Sequence, residues 1–220
     1  MPQADCTTEL QDVTRALGLT PSHDQIHALQ LYLQLLQQWN ATYNLTAVRD
    51  RQGMLTQHLA DCLAVVGPLI GRCPQGRLLD VGSGGGLPGV VLAIMCPTHD
   101  ITCIDTVGKK AAFLRQVAGT LRLPNLHAIH GRVEKLRAHP FDLIVSRAFA
   151  SLADFTRLTA RHLAPQGVWM AMKGKHPSDE IATLPASVEV FHVEPINVPG
   201  LDAQRCLIWM RLPSKATIEP

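Results

Sequence analysis

A chain of 220 residues with 46% hydrophobic and 17% charged residues can bury a sizeable core and suits one domain, or one domain with a helical extension. The composition excludes wholesale disorder and leaves only Met1 to Cys6 and Pro213 to Pro220 expected to fray. No apolar run approaches the roughly 20 residues that cross a bilayer, and the N-terminus lacks the basic-then-apolar pattern of a signal peptide, so a soluble, cytoplasmic protein is expected, as a monomer. The cysteines stand singly at Cys6, Cys62, Cys73, Cys96, Cys103 and Cys206. None forms a C-x-x-C pair, so zinc-ribbon, thioredoxin and iron–sulfur spacings are absent and buried thiols in a reducing compartment are expected. Net charge is +2, but residues 107–175 hold twelve Lys and Arg against Glu134, Asp142 and Asp154, a local balance of +9 that leaves −7 for the rest. Such asymmetry points to a polyanionic partner, against the plainer reading of a solvated surface whose charges mix in three dimensions.

The first quarter reads as helices. Thr8 to Leu17 places Leu10, Val13 and Leu17 on one face and stops at Gly18. Thr20-Pro21 then reads as an N-cap followed by proline at the first helical position. Ile26, Leu29, Leu33, Leu36 and Trp39 recur at steps of three and four, an amphipathic stripe. A third helix is expected from Asp50 to Val66, interrupted by Gly67-Pro68. After Gly76 the rhythm changes. Strands are expected at Leu78–Val81, Ile101–Ile104, Leu126–Ile129, Phe141–Val145 and Val168–Met172, with helices at Leu87–Met95, Lys109–Leu121 and from Ser151. Short unalternating apolar strands separated by helices mean a parallel sheet covered on both faces. Val188–Val198 and Arg205–Arg211, joined through Pro199-Gly200, read as a late hairpin pairing antiparallel at one edge. The expected fold is therefore α/β, a Rossmann-like doubly wound sheet over 76–212 preceded by a helical extension over 1–70.

Asp80-Val-Gly82-Ser-Gly84-Gly85-Gly86-Leu87-Pro88-Gly89 is the most informative stretch. Glycine lets the backbone turn off the first strand and approach a ligand closely, and in open α/β sheets that crevice is where ligands bind. Two carboxylates sharpen the signal. Asp80 suits a cationic ammonium such as that of S-adenosylmethionine and would repel a pyrophosphate; its plainer role is a strand-end cap. Asp105, 23 positions after Gly82 at the end of the second strand, stands where an acidic side chain accepts hydrogen bonds from ribose hydroxyls. Gly84-x-Gly86-x-x-Gly89 matches the dinucleotide fingerprint formally, but it starts two residues late. Tyr32 and Tyr43 have Leu36 and Ala47, not Lys, four positions on, as a short-chain dehydrogenase would require. A P-loop is excluded by Leu87-Pro88 where Lys-Ser/Thr would stand.

From these residues outward the chain resembles the RsmG (GidB) family of bacterial 16S ribosomal RNA guanine-N7 methyltransferases. The similarity runs through Trp39-Asn40-x-x-Tyr43-Asn44-Leu45-Thr46-x-Val48-Arg49-Asp50, His58-Leu-x-Asp61, the glycine loop with Leu87-Pro88-Gly89, Lys109-Lys110-x-x-Phe113-Leu114-Arg115, Ser146-Arg147-Ala148-Phe149-Ala150-Ser151-Leu152 and Lys173-Gly174. Position 85 is Gly where many members carry Pro, and position 110 is Lys where Arg is frequent. The resemblance implies a class I S-adenosylmethionine-dependent methyltransferase fold, S-adenosyl-L-methionine as cofactor and 16S rRNA of the small ribosomal subunit as partner. It implies cofactor contacts from Gly82 and Leu87, with Gly84 and Asp105 on the loop side. Val133 and Glu134 would sit at the adenine, and Arg147 near the methyl-transfer centre, where it would also contact the cofactor.

Guanine N7 already presents a lone pair in the major groove, so its methylation needs alignment rather than a strong base. The chain agrees: Ser146-Arg147-Ala148-Phe149 replaces the Asn/Asp-Pro-Pro-aromatic motif of base-N6 methylation, and the Pro-Cys order of cytosine-C5 chemistry is reversed in Cys96-Pro97. Arg147 is expected to orient the guanine or a neighbouring phosphate, and Lys109, Lys110, Arg115, Lys173 and Lys175 to neutralise RNA backbone. No metal site is expected, since His23/His27 and His127/His130 lack further ligands; His58 with Asp61 reads as a tie between the N-terminal helices and the sheet. A non-catalytic RNA-binding assembly factor on the same fold is the competing function.

Overall fold

The computed structural model describes residues 6–149 and 151–213; the ends expected to fray fall almost wholly outside them. Five helices come first: α1 (Cys6–Ala16), α2 (His23–Tyr43), α3 (Arg51–Met54), α4 (Asp61–Leu63) and α5 (Val66–Arg72), with a π-helical stretch at Leu55–Ala60 between α3 and α4. The N-cap of α2 is Ser22, two residues past the expected Thr20. Its hydroxyl accepts from the Gln25 amide at 3.2 Å, and the Gln25 side chain accepts from the Ser22 amide at 2.9 Å, a reciprocal capping box. Gly67 and Pro68 do not end the helical region. Both lie in the first turn of α5, where an amide has no intrahelical partner to lose.

The sheet contains β1 (Gly76–Val81), β2 (His99–Asp105), β3 (Leu126–His130), β4 (Phe141–Ser146), β5 (Leu163–Lys173), β6 (Glu189–Ile196) and β7 (Arg205–Arg211). Spatial order is β3-β2-β1-β4-β5-β7-β6. The first five strands are parallel, and β7 runs antiparallel to both β5 and β6, giving the expected late hairpin. Connections α6 (Gly89–Met95), α7 (Gly108–Thr120), α8 (Leu152–Thr159) and α9 (Ser178–Ala182) complete the winding.

Successive strand residues supply two cores. Leu78, Leu143, Met170 and Leu207 pack on one face, while Leu79, Ile144, Trp169 and Ile208 pack on the other. Both faces are apolar because both are covered, hence the unalternating strands. Ile26, Leu29, Leu33 and Leu36 of α2 join the first core beside Val90 and Leu114, so the helical extension closes that face. Arg51–Arg72 is long and apolar enough to cross a membrane, yet 72% of its most apolar window is buried within the fold. Cys62, Cys96, Cys103 and Cys206 are buried free thiols. Strand order reverses about β1, whose neighbours are β2 and β4, so the crevice beyond their carboxyl ends is where a ligand is expected.

Candidate active site

β1 delivers the chain into the glycine loop, where Gly82, Gly84 and Gly86 take φ values of 73°, 56° and 91°, a region L side chains rarely adopt. A Cβ on Gly86 would run into Val90 and approach Leu114 Cδ2 to 2.7 Å, so sterics as well as φ fix glycine there. The loop is pinned from several sides. The Gly82 amide donates to Ile104 O (2.9 Å), the Ser83 hydroxyl to Asp80 O (2.8 Å) and the Gly86 amide to Ser83 O (2.7 Å).

Asp105 closes β2 and is 6% exposed. One carboxylate oxygen accepts from the Gly84 amide at 2.9 Å, the other from the Val107 amide at 2.8 Å, and Lys110 Nζ lies 3.9 Å away. These bonds orient the carboxylate and leave further lone pairs, since an ionised carboxylate accepts about four bonds. Beside it opens a cleft of about 360 Å3, lined among others by Gly82, Asp105, Lys110, Val133, Glu134 and Phe149, within the usual span for cofactor sites. Val133 is fixed from behind: its carbonyl accepts from the Leu136 amide (3.0 Å) and lies 2.8 Å from His162 Nε2. Glu134 is exposed at the rim.

Of the residues singled out from sequence, Gly82, Asp105, Val133 and Glu134 thus meet on one cleft. Gly84 sits behind Asp105, bonded to it, and Leu87 is buried on the core side at 4% exposure. Lys110, read from sequence as an RNA contact, lines the cleft as well. So does Phe149, which is half-buried against the second core and packs on Phe155 with centroids 5.3 Å apart.

Asp80 departs from its expected role. It is completely buried beneath the loop, and one oxygen accepts from the Gly89 amide at 2.9 Å while the other has no partner among the described residues. It caps the start of α6 instead of facing a ligand ammonium. Burial, only partly offset by the Gly89 amide, pushes its carboxyl up from 3.8 to about 7. A raised carboxyl contributes stability that is complete below the unfolded value and lost as pH rises through the folded one. Urea denaturation of the native chain should therefore lose stability between pH 3.8 and about 7 relative to Asp80→Asn, which cannot ionise, by at most about 1.4 kcal/mol per pH unit. Parallel pH profiles for the two proteins would contradict the assignment.

Arg147, just past β4 and expected among the cofactor contacts, does not line the cleft at Asp105. Its Nη1 donates to Asp61 Oδ2 and to Gln57 O, both at 3.2 Å, while Arg205 Nε donates to the other Asp61 oxygen at 2.8 Å. The Asp61 side chain is 3% exposed. One buried carboxylate therefore ties the helical extension to the ends of β4 and β7, the task expected of His58 with Asp61. His58 contributes through Thr46 Oγ1, 2.6 Å from its Nε2. Burial, reinforced by the Arg147 charge, holds its imidazole below the ordinary value and favours the neutral form. Asp61, Arg147, Met172, Lys173, Gly174 and Arg205 line a second cleft of about 220 Å3.

Among the expected RNA contacts, Lys109, Arg115 and Lys175 are exposed. Lys173 is half-buried and engaged, with Nζ donating to the two Glu180 oxygens at 3.0 and 2.8 Å.

The chain is similar to known proteins along most of its length. A family model described as rRNA small subunit methyltransferase G (GidB) matches residues 25–208. A ribosomal RNA small subunit methyltransferase G of Acidovorax ebreus (strain TPSY) is 61% identical, over 92% of this chain and 93% of its own. One of Bordetella avium (strain 197N) is 54% identical over 92% of each chain. Among solved structures, TrmN from Thermus thermophilus aligns with a TM-score of 0.54 at 16% identity over 72% of this chain and 53% of its own. A SAM-dependent methyltransferase from Aquifex aeolicus aligns at 0.51 and 16%, over 61% and 81%. These structures share the fold. With the glycine loop, the carboxylate after β2 and near-complete alignment to such close relatives, the chain belongs to the GidB family, rRNA small subunit methyltransferase G.

Proposed function

We propose that this chain transfers the methyl group of S-adenosylmethionine to N7 of a guanine in 16S rRNA of the small ribosomal subunit, acting where that RNA is made, in the cytoplasm. Asp105 carries the reading: a carboxylate locked by two amides on the rim of a cofactor-sized cleft, with lone pairs left for a pair of sugar hydroxyls. When bound, the cofactor supplies an electrophilic sulfonium methyl. Every other task falls to the chain. Asp105 accepts the ribose hydroxyls, and Val133 packs on the adenine. Since the Val133 carbonyl is already engaged, the exposed Glu134 carboxylate is the acceptor for the exocyclic amine. Gly82 presents backbone at closest approach, while Gly84 and Leu87 support the loop from behind.

N7 has no proton to lose, and neither sealed Asp80 nor neutral His58 is needed as a base. The rate then comes from alignment. Arg147, on the second cleft, orients the guanine or its phosphate. Lys109, Lys110, Arg115 and Lys175 neutralise RNA backbone, as would Lys173 once drawn from Glu180. The test is incubation of small subunits and of naked 16S rRNA with labelled cofactor, followed by mapping of the modified base. Label on one guanine, cleavable as N7-methylguanine, is the expected result. RNA binding without transfer would favour the assembly-factor reading, and label on another atom would overturn the N7 assignment.

A further inference from the structure

The glycine loop is held partly by its own backbone, where the Gly86 and Leu87 amides donate to Ser83 O, and partly by the sheet. Gly82 and Ser83 bond to Ile104, Gly84 to Asp105 and Gly89 to Asp80. The Gly85 carbonyl is instead held by Tyr32, whose hydroxyl donates to it at 2.6 Å. Tyr32 lies midway along α2, completely buried within the helical extension. One turn further on, Leu36 Cδ1 would stand 2.9 Å from a Cβ at position 85, so the helix also limits the loop sterically. Burial drives the Tyr32 phenol well above its ordinary value, which keeps it a neutral donor at working pH.

Three successive glycines have the largest conformational freedom of any tripeptide. A loop of that composition binds tightly only if its shape is set before the ligand arrives. We infer that Tyr32 is a positioning residue for the cofactor, and that α2 of the helical extension, through the Tyr32–Gly85 bond, preorganises the loop for S-adenosylmethionine. The inference rests on the cofactor assignment above. The extension then has a second task besides closing the core, because it sets how well the cofactor is held. No contact between Tyr32 and the ligand is required; the effect passes through the Gly85 carbonyl.

The experiment compares the native chain, Tyr32→Phe and Leu29→Ala. Leu29 is also fully buried on α2 but bears no hydroxyl, so its truncation lowers stability without cutting the bond to the loop. Hydrogen exchange without cofactor reads the loop itself. Calorimetric titration reads cofactor affinity, and steady-state rates read KM for cofactor and RNA separately. Tyr32→Phe should speed exchange at residues 84–86, and raise Kd and KM for S-adenosylmethionine about 3- to 10-fold, the scale of one buried hydrogen bond. KM for RNA, and kcat at saturating cofactor, should stay within about twofold. Leu29→Ala should lower Tm with cofactor affinity unchanged. A lower Tm for Tyr32→Phe with unaltered cofactor Kd would make the bond merely structural and overturn the inference. So would equal loss of affinity in Leu29→Ala. Failure of the native chain to bind the cofactor would count against the cofactor assignment instead, and the exchange rates would still report whether Tyr32 orders the loop.

Discussion

Arg147→Ala should lower kcat/KM for RNA methylation at least about 100-fold, the cost of misplacing a reacting group by roughly an ångström, while leaving the fold and cofactor affinity intact. The expectation follows from two separate environments. Arg147 does not line the cleft of Asp105 and Glu134, so its loss is expected to bear on the substrate more than on the cofactor. Removing one partner of a buried ion pair ordinarily costs about 3–5 kcal/mol because a buried charge is left alone. Here Asp61 keeps Arg205, at 2.8 Å, so a loss nearer about 1.5–3 kcal/mol is expected, in line with one charge-assisted hydrogen bond. Thermal denaturation, calorimetric titration with cofactor and methylation rates separate these effects. Arg147→Lys should recover little activity, since an ammonium cannot span Asp61, Gln57 and a substrate group at once. Unchanged turnover in Arg147→Ala would remove its assigned role and leave it a structural tie.

Asp105→Ala should abolish measurable cofactor binding, raising Kd by at least about 100-fold. Each bond to an ionised partner is worth about 1.5–3 kcal/mol, and the alanine variant loses those to the ribose as well as the two that fix the Gly84 and Val107 amides. Asp105→Asn should fall between. Its oxygen can keep one amide, but its NH2 must then face the other donor. Titration calorimetry with S-adenosylmethionine measures both, and a Kd within about threefold of the native chain for Asp105→Ala would show that the ribose is held elsewhere.

What could be read from sequence was whatever short-range pattern determines. The unalternating strands announced a sheet covered on both faces, and Gly82 to Gly89 with Asp105 marked the crevice at the reversal of strand order. Errors arose where the outcome depends on a neighbour. Thr20-Pro21 and Ser22-x-x-Gln25 are both plausible starts for α2, and the two mutual bonds of the second decide it. Asp80 looked ligand-facing because a strand-end carboxylate beside a glycine loop normally has solvent on one side; α6 begins directly over it and seals it in. Pairings across long stretches of chain were invisible. Asp61 is 86 residues from Arg147 and 144 from Arg205, and Tyr32 is 53 from Gly85. Periodicity identified α2 as amphipathic but could not say that its tyrosine holds the loop. The basic stretch shows the same limit: Lys173 and Lys175 are indistinguishable by composition, yet one is bonded to Glu180 and the other is exposed.

Methyl transfer and the positioning role of Tyr32 both require the cleft at Asp105 to be a site for S-adenosylmethionine. Equilibrium titration of the purified chain with labelled S-adenosylmethionine tests this. Saturable one-to-one binding, competed by the demethylated product S-adenosylhomocysteine and lost in Asp105→Ala, is the predicted result. Absence of saturable binding, both alone and with 16S rRNA present, would contradict it.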